Sequence, residues 1–201
     1  IRDRVQTAFA LILFLAPLAY SPGPGNLFFA ANGARFGLRA TLPANAGYHL
    51  ATWIVTAAIG MGFLAATARH PEIFAVLKTA GAAYVLWLAW RLARAGRHEG
   101  DRAARPAGFV DGAVLLLLNP KAYVIIALMF TQFLGTDATG TLAPVLLIAT
   151  VFTLNNLLAF LAWTWAGDAL AARFADARDA ARLNTGFAVL LAGVALWMLL
   201  A

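Results

Sequence analysis

Two proline-containing segments of this sequence carry residues that could bind a small charged molecule. They are Ser21-Pro22-Gly23-Pro24-Gly25-Asn26 and Asn119-Pro120-Lys121, and each interrupts a long apolar run. Proline has no N–H and crowds the preceding turn, so a helix broken there leaves backbone carbonyl and amide groups without helical partners. At membrane depth such groups are tolerated only inside protein or along a wet cavity. The pattern predicts two unwound segments that hold a polar ligand; the alternative is that the prolines only kink packed helices.

Lys121 adds a positive charge to the second segment. It lies about 12 residues, roughly 18 Å, inside an apolar span that begins near Phe109. A lysine at that depth costs at least about 2.5 kcal/mol to insert, so it normally faces a cavity or a partner. We predict that Lys121 helps to bind the substrate. The alternative is that its ammonium group reaches the lipid headgroups.

Four further polar side chains lie inside apolar runs: Asn45, His49, Asn155 and Asn156. Asn45 and His49 share one helix face, because residues four apart are neighbours on a helix. Asn155 and Asn156 lie in the equivalent span of the second half. We predict that the four side chains contribute to one polar cavity; the alternative is that they hold neighbouring helices together.

The residue types that are missing exclude several kinds of chemistry. The chain has no cysteine, which excludes thiol redox chemistry, iron–sulfur clusters and thiolate metal sites within it. No acidic residue lies in mid-span and the three histidines are scattered, whereas membrane enzymes and cation sites normally cluster such residues. We therefore predict no catalytic centre, no metal site and no cofactor.

A membrane protein must position these residues. The 201 residues are 62% hydrophobic and 12% charged, against about 45–50% and about 25% in soluble domains. The apolar runs are too long for strands and lack period-2 alternation. The predicted fold is an all-α polytopic membrane protein with six transmembrane helices. The predicted spans are roughly 5–33, 41–67, 74–92, 109–134, 142–167 and 183–200.

The two halves of the chain follow one plan, an interrupted span followed by two continuous ones. Each half has an odd number of spans, so the second half begins on the opposite side of the bilayer. Halves that share a fold are then inverted repeats, as in many secondary transporters. We predict a first three-helix repeat at 1–95, a cytoplasmic loop at 96–107 and a second three-helix repeat at 108–201, with the first and fourth helices broken.

Basic residues predict the orientation. Ten of them lie on the side of the central loop and four on the side of the termini, and basic residues accumulate on the cytoplasmic side. We therefore predict a cytoplasmic central loop and termini outside. This topogenic signal accounts for the net charge of +6, so nucleic acid is not an expected partner.

Several of these motifs resemble the signatures of the LysE/RhtB family of amino-acid exporters, the LysE-type translocators. The matching residues are Pro22-Gly23-Pro24, Gly33, Arg35, Gly37, Gly47, Lys78, Gly81-Ala82-Ala83-Tyr84, Phe109, Gly112, Leu118-Asn119-Pro120-Lys121 and Gln132-Phe133. The resemblance covers roughly residues 10–135. It implies export of amino acids or their derivatives from the bacterial cytoplasm, driven by an ion gradient. It does not imply a particular substrate, because Pro43, Asn45 and His49 differ from the residues usual in the family.

We predict a secondary transporter of the bacterial inner membrane that exports an amino acid or derivative by proton antiport. Helix ends with free N–H groups and Lys121 would bind the substrate carboxylate, and break carbonyls with asparagine amides would bind its ammonium group. Lys121 and His49 are the candidates to carry the proton. The alternatives are a metal-ion or other small-solute exporter of the same architecture, and a non-transporting assembly factor.

The expected partners are a small-molecule substrate and the lipid bilayer, and the small size is compatible with a homodimer. The predicted substrate-binding residues are Pro22, Gly23, Pro24, Gly25, Asn26, Asn45, His49, Asn119, Pro120, Lys121, Asn155 and Asn156.

Overall fold

The protein is all-helical, with no strand among the residues that the structure describes. The computed structural model describes residues 2–63, 105–133 and 142–173, with isolated helical residues between 79 and 90 and between 182 and 196. Apart from those helical residues, the predicted third and sixth spans lie outside the described residues, as does most of the predicted central loop. The helices are α1 at Arg2–Tyr20, α2 at Pro24–Ala58, a π-helical turn at Ile59–Phe63, α3 at Phe109–Leu117, α4 at Pro120–Phe133 and α5 at Leu142–Arg173.

Three stretches of the described chain have the length and apolar character of a membrane span. Helix α5, with 32 residues, is long and apolar enough by itself. Two pairs of helices are long and apolar enough only when each pair is taken together. These pairs are α1 with α2, which is bent by 64°, and α3 with α4, which is bent by 63°. Each bend falls at one of the two predicted interruptions, so both helix breaks are confirmed. The total of six spans and the inverted repeat stay predictions.

The two interruptions are shorter than the sequence predicted. Only residues 21–23 and 118–119 are non-helical, whereas Gly25, Asn26 and Lys121 belong to the first helical turns after the breaks. Pro24 and Pro120 begin α2 and α4. Proline fits the first position of a helix, because an N–H would have no intrahelical partner there and the ring already fixes a helical φ.

Gly37 divides α2 into two helical segments, 24–36 and 38–58. Its φ of 82° and ψ of 165° are not helical, and positive φ is a region that favours glycine. The next backbone N–H, that of Leu38, donates to Asp168 Oδ2 of α5 at 3.0 Å. A carboxylate at a helix N-terminus satisfies a backbone donor and opposes the positive end of the helix dipole. The predicted gap between the first two spans is therefore a single residue, held by α5.

We expect Gly37→Ala to lower the free energy of unfolding by about 1–2 kcal/mol, because a Cβ is disfavoured in the left-handed region. Thermal unfolding of the purified protein in detergent measures this change. Gly186→Ala is the matched control, since a Cβ added there meets no atom of the described residues within 4 Å. Equal unfolding midpoints for the two variants would contradict the strain argument.

Helix α2 packs most extensively against α5 and then against α3, and glycine permits both contacts. A Cβ on Gly33 would collide with the backbone carbonyl of Thr164, and a Cβ on Gly167 with that of Ala30. Gly47 faces the carbonyl of Phe109 in the same manner. Close backbone approach at small residues is the usual way in which membrane helices associate. These contacts bring α2 of the first predicted repeat against two helices of the second.

Two buried apolar clusters pack the described helices together. One joins α1, α4 and α5 through Leu11, Leu15, Ile126, Met129 and Phe152. The other joins the helix ends at the breaks to α2 and α5 through Ala19, Phe29, Tyr48, Leu116, Ala122 and Phe160. Large apolar side chains also cover the outside, among them Val5, Phe9, Leu158 and Trp165, each more than 60% exposed. In an integral membrane protein such faces contact lipid.

Candidate functional site

The first break is bridged by side chains on both sides of it. Asn26 Nδ2, in the first turn of α2, donates to the carbonyl of Ala19 at 2.9 Å. Ser21 Oγ donates to the carbonyl of Leu18 at 2.9 Å. The last carbonyls of α1 have no intrahelical partner, and these two side chains satisfy two of them. Asn26 therefore stabilises the first break by linking the start of α2 to the end of α1.

Lys121 joins the second break to the first. Its Nζ donates to Ser21 O and to Ser21 Oγ, both at 2.9 Å, and to Pro22 O at 3.4 Å. Its stem lies across Gly23, where a Cβ would be 2.8 Å from Lys121 Cδ. An ammonium group at the C-terminal end of α1 is favoured by the helix dipole. The ammonium group therefore binds oxygen atoms of the first break.

The second break contacts α2 through Asn119 and Tyr48. Asn119 Nδ2 donates to Tyr48 Oη at 2.8 Å, across 71 residues of sequence. Both side chains are buried, and Asn119 Oδ1 has no hydrogen-bond partner among the described residues. Tyr123 Oη donates to the carbonyl of Leu117 at 3.0 Å and so satisfies the end of α3. A buried acceptor without a donor costs about 1–3 kcal/mol, which makes Asn119 Oδ1 a candidate contact for a ligand.

His49 is buried between α2 and α5 and holds Asn156. Its Nδ1 lies 2.8 Å from the carbonyl of Asn45, and a carbonyl can only accept, so Nδ1 carries a proton. Its Nε2 lies 3.3 Å from Asn156 Nδ2. In the neutral imidazole Nε2 is then the acceptor, and the NH2 group of Asn156 points at the ring. The ring also packs edge-on against Phe160, with 5.2 Å between the ring centroids.

Asn45 and Asn155 lie outside this polar cluster. Asn45 Nδ2 is 3.5 Å from Thr41 O and from Thr164 Oγ1, at the contact of α2 with α5. Asn155 is buried, and its Nδ2 has no partner among the described residues. The shared helix face of Asn45 and His49 is confirmed, since both side chains are buried against α5. The contacts of Asn45 are those of a residue that holds helices together.

A small cavity lies between the two breaks. Its volume is about 10 Å³, which is room for about one water molecule. Its apolar wall consists of Leu18, Ala19, Leu116, Ala122, Ile125, Phe152 and Phe160. Its polar wall consists of Asn26, Tyr48, Thr52, Asn119, Lys121 and Asn156. A complete amino acid does not fit this space.

The structure brings some of the predicted binding residues together and separates others. Asn26, Asn119, Lys121 and Asn156 line the cavity. Pro22 and Gly23 contact Lys121 at the first break. Pro24 and Pro120 begin the helices that follow the breaks. Gly25 makes room for the ring of Phe160. His49 does not line the cavity but contacts Asn156, which does. Asn45 and Asn155 do not line the cavity.

Sequence reasoning missed Tyr48, Thr52 and Phe160 as cavity residues. Tyr48 and Phe160 are aromatic, with ring centroids 4.7 Å apart, and their types are usual in any apolar helix. The one available signal was spacing: Thr52 lies four residues after Tyr48 and three after His49, and so extends the polar face of α2.

Comparison with known proteins places similar sequences among transporters. The family model described as LysE type translocator matches residues 16–201. The cysteine/O-acetylserine efflux protein of Klebsiella pneumoniae subsp. pneumoniae is 30% identical over 164 residues, which cover 79% of this chain and 80% of that protein. No solved structure matches the chain significantly.

Two further relatives have names that specify other amino acids. The leucine efflux protein of Enterobacter sp. is 27% identical over 143 residues, 68% of each chain. The homoserine/homoserine lactone efflux protein of Salmonella typhimurium is 32% identical over 131 residues, 63% of this chain and 64% of that one. These relatives share efflux as their described activity and differ in the molecule that is exported.

Proposed function

Because this chain belongs to the LysE type translocator family, we propose that it exports an amino acid or amino-acid derivative from the cytoplasm of a bacterium. The observation that carries the proposal is the meeting of the two helix breaks at one cavity. Lys121 of the second break binds the backbone of the first across 100 residues of sequence. Relatives named as efflux proteins for cysteine, leucine and homoserine support an amino-acid substrate.

The substrate carboxylate would bind at the helix starts. Helices α2 and α4 both begin at the breaks, and the first N–H groups of a helix have no intrahelical acceptor. Such N-termini favour anions, and broken helices in transporters present them to anionic groups of the substrate. Lys121 lies at the same place and adds a full positive charge.

Transport would require Lys121 to exchange partners. In this conformation Ser21 and Pro22 occupy its ammonium group, and the cavity holds no more than about one water molecule. Binding of a substrate carboxylate to Lys121 would weaken its bonds to the first break and let the walls separate. We propose that this exchange couples substrate binding to the movement of the two broken helices.

We propose that export is coupled to proton antiport. The protein would lie in the bacterial inner membrane, with its central loop in the cytoplasm and its termini outside. Lys121 is better placed than His49 to carry the proton, because it lines the cavity whereas His49 lies behind Asn156. The excess of basic residues around the central loop supports the orientation.

Efflux from dipeptide-loaded cells tests the proposal. We expect cells that express the protein to release at least one amino acid several-fold faster than cells with an empty vector, in a panel that includes cysteine, leucine and homoserine. A protonophore is expected to stop the additional efflux if protons drive it. Identical release by both cell types across the panel would contradict amino-acid export, and protonophore-resistant release would contradict proton antiport.

A further inference from the structure

Three asparagine side chains line the cavity, and each uses its NH2 group within the protein. Asn26 Nδ2 donates to the carbonyl of Ala19, Asn119 Nδ2 to Tyr48 Oη and Asn156 Nδ2 to His49 Nε2. All three are more than nine-tenths buried. In each of these contacts the amide nitrogen, and not the carbonyl oxygen, faces the partner.

Two of these amide orientations are fixed by their partners. The backbone carbonyl of Ala19 can only accept, so Asn26 must present its NH2 group to it. His49 Nδ1 must donate to the carbonyl of Asn45, so in the neutral imidazole Nε2 accepts and Asn156 presents its NH2 group to it. If the O and N positions of either amide were exchanged, its Oδ1 atom would face another acceptor: Ala19 O for Asn26, and His49 Nε2 for Asn156. Asn119 Oδ1 is buried without a hydrogen-bond partner among the described residues.

From this arrangement we propose that the amide oxygens of Asn26, Asn119 and Asn156 form a subsite for the ammonium group of the exported amino acid. The inference rests on the proposed function and specifies how one end of the substrate is recognised. A primary ammonium group has three N–H donors and no acceptor, which matches three carbonyl oxygens. Its size is close to that of the one water molecule for which the cavity has room.

The ammonium group of Lys121 binds the first break and makes no contact with the three amide oxygens among the described hydrogen bonds. The backbone carbonyls of the first break, which the sequence offered as ammonium acceptors, are bound by Lys121 itself. Lys121 also lines the cavity, so a second cation beside it would be repelled. An α-amino acid avoids the repulsion, because its carboxylate lies next to its ammonium group and can face Lys121. The site therefore selects a zwitterion over a simple cation such as sodium, which amide oxygens also bind.

His49 acts in this subsite as a positioning residue. It does not line the cavity, but its Nε2 holds the NH2 group of Asn156 and so turns Oδ1 away from the ring. Replacement of His49 by Leu removes that acceptor and lets the amide rotate. Replacement by Gln retains an acceptor and is expected to retain ligand binding.

Ligand-dependent unfolding of the full chain in lipid nanodiscs tests the inference. Glycine, the common part of all amino acids, is titrated against sodium glycolate, in which a hydroxyl replaces the ammonium group, and against sodium chloride. We expect only glycine to raise the unfolding midpoint of the wild type in a saturable manner. Asn156→Leu is expected to weaken the apparent affinity for glycine at least tenfold, and His49→Leu to weaken it whereas His49→Gln does not.

Asn155→Leu is the matched control, because this neighbouring amide is buried and does not line the cavity; its affinity for glycine should equal that of the wild type. The inference is overturned if glycine has no saturable effect, if either sodium salt acts as strongly, or if Asn155→Leu weakens binding as much as Asn156→Leu. Glycine binding without efflux would refute the proposed function alone, and efflux without glycine binding would refute the subsite alone.

Discussion

Lys121→Met is expected to reduce amino-acid efflux at least a hundredfold in protein that still inserts into the membrane. The ammonium group makes two bonds of 2.9 Å to Ser21, and each hydrogen bond to a charged group contributes about 1.5–3 kcal/mol. Methionine keeps the length of the side chain but loses its charge and donors. The variant therefore loses both the contact between the two breaks and the proposed carboxylate contact. Efflux from dipeptide-loaded cells, normalised to protein in the membrane, measures the loss.

Lys121→Arg is expected to impair efflux as well, because the stem passes so close to Gly23 that a planar guanidinium group has little room. Val124→Met is the control, since Val124 lies on the same helix with an exposed side chain and receives the same substituent. Full efflux by both Lys121 variants would remove Lys121 from the mechanism. If Val124→Met lost as much efflux as Lys121→Met, the loss would be due to impaired insertion or folding and not to the missing ammonium group.

Gly47→Ala is expected to lower the free energy of unfolding by about 3 kcal/mol, the upper part of the usual range for overpacking a core. The added Cβ would collide with the backbone carbonyl of Phe109, and a backbone carbonyl cannot rotate away as a side chain can. Helices α2 and α3 must then move apart, which also separates Tyr48 from Asn119. Thermal or denaturant unfolding in detergent measures the change, together with the amount of folded protein recovered.

Gly193→Ala provides the comparison for this prediction, because a Cβ at that helical position meets no atom within 4 Å in the part of the chain that the structure describes. It is expected to leave the unfolding midpoint unchanged or to raise it, since alanine favours helix over glycine. If Gly47→Ala unfolds at the same midpoint as Gly193→Ala, the close approach of α2 and α3 is not required for stability.

Much of the fold follows from local features of the sequence. The apolar runs predict helices, and Pro22, Pro24 and Pro120 predict where these helices break, because the missing N–H and the ring of proline act within one turn. The C-terminal limits of the two breaks were wrong by three and two residues. A proline is equally compatible with the first turn of a new helix, and Pro24 and Pro120 both occupy that position.

The candidate site was predictable only in part. Lys121 and the asparagines stand out because polar groups are costly in an apolar helix, and four of the predicted residues line the cavity. Asn45 and Asn155 are just as polar and do not line it. Residue type shows that a buried amide needs partners, but it does not show whether a neighbouring helix or a ligand supplies them.

By itself the sequence determined that the chain forms apolar helices with two breaks, and that a lysine follows the second break. Only the tertiary structure decided that Lys121 binds Ser21, that His49 contacts Asn156, and that Tyr48 reaches Asn119. Helix formation depends on groups within about four residues of each other. These contacts join residues 71 to 107 positions apart, and the packing of one helix against another sets which of them meet.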